Sequence, residues 1–225
     1  QQNAPSWSPD GRTIAFAGNR NGAFDIFQIE LESGAITNLT ADAAYDGAPV
    51  YSPNGEWVVY ASAVNGIHTQ MFRIQIANPS HRERLTNGDW NDKDAVFGSD
   101  GKWVYYTSDR SGTDNIWGVE IATGKTVQYT NAVTGCFMPT VLKGNEGSDR
   151  IVYTGFWRGS FDLYVVDLEQ PVTEPTTIRI EPQLVEAQPV APYEPDIQVT
   201  IDTANQEPYK RSRLFLEDGG GSIGV

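Results

Sequence analysis

Short apolar runs recur along the chain, each bounded by polar segments that contain glycine, and no long stretch with a 3.6-residue period interrupts them. Thr13-Ile14-Ala15-Phe16, Trp57-Val58-Val59-Tyr60, Trp103-Val104-Tyr105-Tyr106 and Arg150-Ile151-Val152-Tyr153 each read as a strand. A polar loop follows each: Asn19-Arg20-Asn21-Gly22, Val64-Asn65-Gly66, Asp109-Arg110-Ser111-Gly112 and Trp157-Arg158-Gly159. A further run follows each loop: Asp25-Ile26-Phe27, Gln70-Met71-Phe72, Asn115-Ile116-Trp117 and Asp162-Leu163-Tyr164. A short turn such as Ser33-Gly34 or Thr123-Gly124 then leads to one more strand.

The units repeat with a fixed period. Ser8-Pro9-Asp10-Gly11 returns as Ser52-Pro53-Asn54-Gly55 after 44 residues, and in weaker form as Gly98-Ser99-Asp100-Gly101 after another 46. Leu39-Thr40 returns as Leu85-Thr86 and Tyr129-Thr130 at spacings of 46 and 44. The turn chemistry suits tight connections, because Pro presets φ, Asp tolerates the bridge region and Gly takes positive φ. Each unit is therefore expected to be four short antiparallel strands. One such sheet cannot bury both faces, whereas sheets packed side by side around an axis can, and a period of about 40–45 residues is that of propeller blades. The expected units are about 1–40, 41–86, 87–130 and 131–170, the last extending to 180 if Thr177-Ile178-Arg179-Ile180 is its outer strand.

Composition narrows the partners more than the fold. The 225 residues include 22 Gly, 25 aromatics and 39% apolar residues, in keeping with β structure. A formal net charge of −13 argues against a nucleic-acid or anionic-membrane surface. The single Cys136 excludes an internal disulfide and a thiolate zinc site, and is expected to be a small buried hydrophobe. Two histidines, His68 and His81, leave little for a His-rich metal centre. No apolar run approaches the roughly 20 residues of a membrane helix. No signal peptide is read, and a start at Gln1 suggests a processed chain or a piece of a longer one.

The stretch Pro5-Ser6-Trp7-Ser8-Pro9-Asp10-Gly11-Arg12, continuing through Ile14-Ala15-Phe16, closely resembles the blade motif of TolB-like β-propellers, a WD40-like repeat of the PD40 type. Thr107-Ser108-Asp109-Arg110 with Asn115-Ile116-Trp117 is similar to the same motif. The resemblance spans roughly residues 1–170. In the fourth unit Val141–Asp149 replaces the Ser-Pro-Asp-Gly turn by a longer loop. The fold it implies is an all-β propeller segment of about four four-stranded blades within a larger ring of six or seven. The family resemblance also implies a bacterial envelope setting, periplasmic or associated with the outer membrane.

After residue 170 the composition shifts. Seven of the 13 prolines lie in 171–208, so this stretch reads as an extended linker. The glycine-rich end, 209–225, is similar to the join between such a propeller and an outer-membrane barrel, and equally reads as an unstructured terminus.

Candidate chemistry is sparse. Gly220-Gly221-Ser222-Ile223-Gly224 fits the letters of a nucleophile elbow, but no strand-and-helix context surrounds it and no His follows. An acidic run, Asp89-Trp90-Asn91-Asp92-Lys93-Asp94, makes Asp89, Asp92 and Asp94 a weak calcium candidate, with solvated loop carboxylates the blander reading. Arg20 and Arg110 occupy equivalent loop positions, as ligand-facing residues or, more simply, as arginines tying their loops to a neighbouring carboxylate. Trp7, Tyr51, Phe97, Trp57 and Trp103 are expected to pack between blades rather than bind a ligand. Asn38-Leu39-Thr40 matches a glycosylation acceptor, but the repeat accounts for it. No catalytic residue, cofactor or metal is assigned.

The functional expectation is a non-catalytic protein–protein platform whose contact loops carry Tyr45, Asp46, Trp90, Asp92, Asp94, Arg20, Arg110, Trp157 and Arg158. Acidity favours a basic partner patch. Two alternatives stand: the gating propeller of a serine peptidase of the prolyl-oligopeptidase class, and a sugar-active propeller enzyme, for which two histidines are few.

Overall fold

The computed structural model describes residues 5–19, 22–63, 66–144, 149–169, 171–172 and 176–177. Every regular element among them is a β-strand. The first sheet runs β1 (Ser6–Trp7), β2 (Thr13–Asn19), β3 (Phe24–Glu30) and β4 (Ile36–Asn38), each antiparallel to the one before. The second repeats this with β5 (Asp46–Tyr51), β6 (Trp57–Ser62), β7 (Gln70–Gln75) and β8 (Asn78–Arg84). The third comprises β9 (Asp92–Phe97), β10 (Trp103–Ser108), β11 (Asn115–Glu120) and β12 (Lys125–Gln128), and the fourth β13 (Cys136–Leu142), β14 (Arg150–Trp157) and β15 (Ser160–Asp167). The first strands of successive sheets, β1, β5, β9 and β13, lie side by side, which makes the four sheets propeller blades.

The repeated sequence markers each do a defined local job. In the turn between the first two strands, the Gly11 and Gly55 amides donate to the Ser8 and Ser52 carbonyls at 2.9 Å, with both glycines at positive φ. The same serines bridge each turn: Ser8 Oγ donates to Asp10 and accepts from the Thr13 amide, and Ser52 Oγ does the same with Asn54 and Trp57. The Leu-Thr marker is equally specific. The hydroxyls of Thr40, Thr86 and Thr130 accept from the amides of Ile26, Met71 and Ile116 at 2.9, 2.9 and 2.8 Å. Leu39, Leu85 and Tyr129, one residue earlier, fill the core. One residue of the pair satisfies a buried amide while its neighbour supplies apolar volume, which is why the two recur together.

Three apolar clusters lie between neighbouring blades. Ala15, Ile26 and Leu39 of the first blade meet Tyr51, Val58, Tyr60, Phe72 and Ile74 of the second. Val59, Met71 and Leu85 meet Phe97, Val104, Tyr106 and Val119. Tyr105, Ile116, Val127 and Tyr129 meet Cys136 and Ile151. Of the aromatics expected between blades, Tyr51 and Phe97 are buried, and Trp57 and Trp103 pack at the cluster margins. Trp7 departs from the expectation: it is 59% exposed, because among the described residues no blade covers the face on which its equivalents Tyr51 and Phe97 pack. The outward face of β15, with Phe161, Leu163 and Val165, is similarly exposed.

Trp57 stacks under the Arg73 guanidinium at 4.0 Å and meets the His81 ring edge-on at 5.2 Å, while remaining partly accessible. We expect Trp57→Ala to cost about 2 kcal/mol in chemical denaturation, short of the 3–5 kcal/mol typical of a fully buried aromatic. A loss above about 4 kcal/mol would show that the ring is a core residue.

Two features were not expected. The first strands of the second, third and fourth blades each bulge at a non-glycine residue of positive φ: Ala48 at 51°, Asp94 at 55° and Met138 at 49°. Also, β16 (Thr176–Thr177) pairs with β12, Lys125 opposite Thr177, so it extends the third blade and not the fourth. The physical reason is the open edge of β12, whose outer amides and carbonyls otherwise lack ladder partners. The glycine-rich end, with Gly220–Gly224, lies outside the described residues, as does most of the proline-rich stretch.

Candidate functional site: the loop end of the blades

Antiparallel order brings two loop classes to one end of the array. The connections between blades (β4 to β5, β8 to β9, β12 to β13) and those between the second and third strands of each blade emerge together. Side chains and backbone knit the two classes. The Ala63 amide donates to the Tyr45 carbonyl at 2.9 Å, and the Tyr45 ring lies 5.0 Å from that of Phe24. Asn91 donates from its amide and side chain to Asp109 at 2.8 and 2.9 Å and accepts from the Thr69 amide. Gln70 Nε2 donates to the Trp90 carbonyl at 2.8 Å, and Thr113 Oγ1 to the Ala132 carbonyl at 2.8 Å.

The candidate contact residues divide sharply by exposure. Tyr45 is 52% exposed and Trp157 54%. Arg158 and Gly159, both at positive φ, form a two-residue hairpin between β14 and β15, which holds the Arg158 guanidinium 5.8 Å above the Trp157 ring. These three residues are free to meet a partner. Arg20 lies outside the described residues.

Asp92 and Arg110 are an internal pair. Asp92 is fully buried, and Arg110 Nη2 donates to its two oxygens at 3.1 and 3.2 Å and to Tyr106 Oη at 2.8 Å. Arg110 Nε donates to Ser108 Oγ at 2.9 Å, and its guanidinium stacks 4.8 Å from Trp90 and 4.6 Å from Trp117. Burial pushes the Asp92 carboxyl above the usual carboxylate range, and Arg110 opposes that shift. The arginine thus ties its loop to a carboxylate, and neither charge is presented to solvent. Asp94 sits on the β9 bulge, half-buried, and Asp89 is exposed, so Asp89, Asp92 and Asp94 do not converge on one point. His81 Nε2 lies 3.1 Å from Glu83, and His68 stands apart from any acidic cluster among the described residues.

Asp46, expected as a contact residue, is instead completely buried at the start of β5. Burial pushes its carboxyl up to about 7, partly offset by the hydroxyls of Ser62 and Thr40 on its flanks. Neither hydroxyl completes a hydrogen bond to it, and both of its oxygens lack a partner. One oxygen each of Asp25, Asp42 and Asp46 lie within 4.8 Å of one another, the one such acidic trio among the described residues. Asp25 and Asp42 were not singled out from sequence as site residues. Aligning the repeats reveals them: in the second and third blades Asp25 is matched by Gln70 and Asn115 and Asp42 by Gly88 and Ala132, all uncharged, while the fourth blade keeps an aspartate, Asp162, at the Asp25 position.

A family model described as the TolB beta propeller domain matches residues 1–82. The Tol-Pal system protein TolB of Francisella tularensis subsp. mediasiatica is 30% identical over 115 residues, which are 50% of this chain and 26% of that protein. Dipeptidyl-peptidase 5 of Porphyromonas gingivalis is 28% identical over 138 residues, 56% of this chain and 20% of the peptidase. Among solved structures, TolB from Acinetobacter baumannii superposes with a TM-score of 0.62 at 22% identity, over 77% of this chain and 42% of that one, a likeness of fold. The chain therefore spans between about a fifth and two fifths of the length of these proteins.

Proposed function

Taking the chain as a TolB-like β-propeller segment, we propose that it belongs to a non-catalytic protein-binding platform of the bacterial cell envelope, periplasmic or associated with the outer membrane. The observation that carries this is the distribution of exposed apolar side chains on the loops. Tyr45, Ile67, Val133 and Trp157 are 52, 77, 87 and 54% exposed, the first three on loops and Trp157 at the strand end beside one, all at the same end of the blades. Beneath them the polar groups are tied inward by Asn91, Gln70, Thr113 and Arg110. Rigid aromatic and arginine anchors such as Trp157 and Arg158 suit a protein contact, since they lose little freedom on binding. The acidic surface favours a partner with basic residues around that contact.

The test is capture of envelope proteins on the immobilised full chain. Tyr45→Ser with Trp157→Ser should abolish recovery of a specific partner while leaving the circular dichroism spectrum unchanged. Full recovery on the double variant would place the interface elsewhere. Asp92 is unsuited to this purpose, because charge reversal at a fully buried site reports on folding.

A second reading is favoured by the match to the peptidase: the same loop end would then line access to a hydrolase domain in the full-length protein. Release of dipeptides from peptide substrates by that full-length protein would favour it over the platform.

A further inference from the structure

We propose that Asp25, Asp42 and Asp46 form a calcium site at the junction between the first and second blades. The three carboxylates come from β3, the linking loop and β5, and one oxygen of each lies within 4.8 Å of the others. Acidic side chains gather on many protein surfaces without binding anything. Here Asp46 is 0% exposed, faces the other two, and has no hydrogen-bond partner for either oxygen. Leaving a buried carboxylate unpartnered is costly, and a bound cation removes that cost.

The repeat supplies an internal control. In the third blade Asp92 stands where Asp46 does, opposite Ser108 as Asp46 is opposite Ser62. Two residues beyond Ser108, Arg110 reaches back and neutralises Asp92. The residue two beyond Ser62 is Val64, so Asp46 has no such arginine. The other two positions of the trio are also filled differently elsewhere. At the second junction Gln70 donates to the carbonyls of Gly88 and Trp90, and at the third Asn115 donates to that of Ala132, with Cys136 in the place of Asp46. Of the three junctions among the described residues, only the first combines three carboxylates with the loss of the arginine.

Charge decides the valence. Among the described residues the one cation bonded to the trio is Arg82, 4% exposed; it donates to Asp42 and to the carbonyls of Thr40 and Leu39. Asp25 is held by Asn38 Nδ2 at 2.8 Å, and the Ala44 amide donates to Asp42 at 2.8 Å. With Asp46 ionised, three carboxylates against the one guanidinium among the described residues leave a net charge of −2, which a divalent cation balances. All-oxygen donors select a hard ion, and Ca²⁺ accepts their irregular geometry more readily than Mg²⁺, which demands a near-ideal octahedron. A cavity of about 420 Å³ bordered by Asp25, Asn38 and Asp42 provides entry and room for water ligands.

Thermal melting and titration calorimetry on the full chain, stripped with EDTA, test this. Ca²⁺ should bind one per chain and raise the melting temperature by about 5–10 °C at a hundredfold excess over Kd. Asp46→Asn, nearly isosteric, should melt above the stripped wild type without metal, lose the Ca²⁺ response and bind at least about tenfold more weakly. Asp100→Asn, at an exposed turn, should keep the full response. Absence of binding by the wild type, an unaltered response in Asp46→Asn, or saturation by Mg²⁺ but not Ca²⁺ would each overturn the assignment.

Discussion

Arg110→Met is expected to cost about 3–5 kcal/mol in chemical denaturation, because it strands a buried charge. Asp92 is fully buried, and Arg110 is the cation bonded to its carboxylate. The substitution preserves much of the aliphatic stem but removes the donors to Asp92, Ser108 and Tyr106. It also removes the planar group packed against Trp90 and Trp117. Pairing Arg110→Met with Asp92→Asn should recover much of the loss, since the penalty lies in the unpaired charge more than in the absent bond. A single-variant loss below about 1 kcal/mol would mean that water reaches Asp92. An additive double variant would mean that the two side chains do not act as a pair.

Phe72→Ala should cost a similar amount, about 3–5 kcal/mol, for a different reason. Phe72 is 3% exposed in the cluster that joins the first two blades, with its ring stacked 6.0 Å from that of Tyr60. Truncation leaves a cavity bounded by residues from two sheets, and neither sheet can close it without moving relative to the other. Denaturant unfolding followed by tryptophan fluorescence measures the loss. A value near that of the partly buried Trp57→Ala would show that the blades adjust independently.

These results depend on features that differ in how far the amino-acid order reveals them. The Leu39-Thr40 marker is legible because both of its functions are local to one blade: Leu39 turns into the core and Thr40 caps the Ile26 amide. The bulges at Ala48, Asp94 and Met138 are not, because none is glycine and the positive φ is imposed by pairing across the sheet. Trp7 shares the motif of Tyr51 and Phe97, yet is exposed where they are buried. A motif specifies which way a side chain points, whereas burial needs a neighbour on that side. Asp46 and Asp92 are a sharper case, equivalent in the repeat and buried alike, with different surroundings. The difference arises from residues 18 or more positions away in the chain: Arg110 beside Asp92, and Asp25 beside Asp46.

Period, turn chemistry and strand order were thus present in the linear order of residues, since each rests on contacts within a unit of about 45 residues. The blade architecture follows from them, because a four-stranded sheet with two apolar faces must pack against another. Which charges are paired, which aromatics remain exposed, and where three carboxylates meet depend on contacts between strands and blades distant in sequence. Those outcomes were decided by tertiary packing, which sets burial and with it the cost of an unpartnered charge.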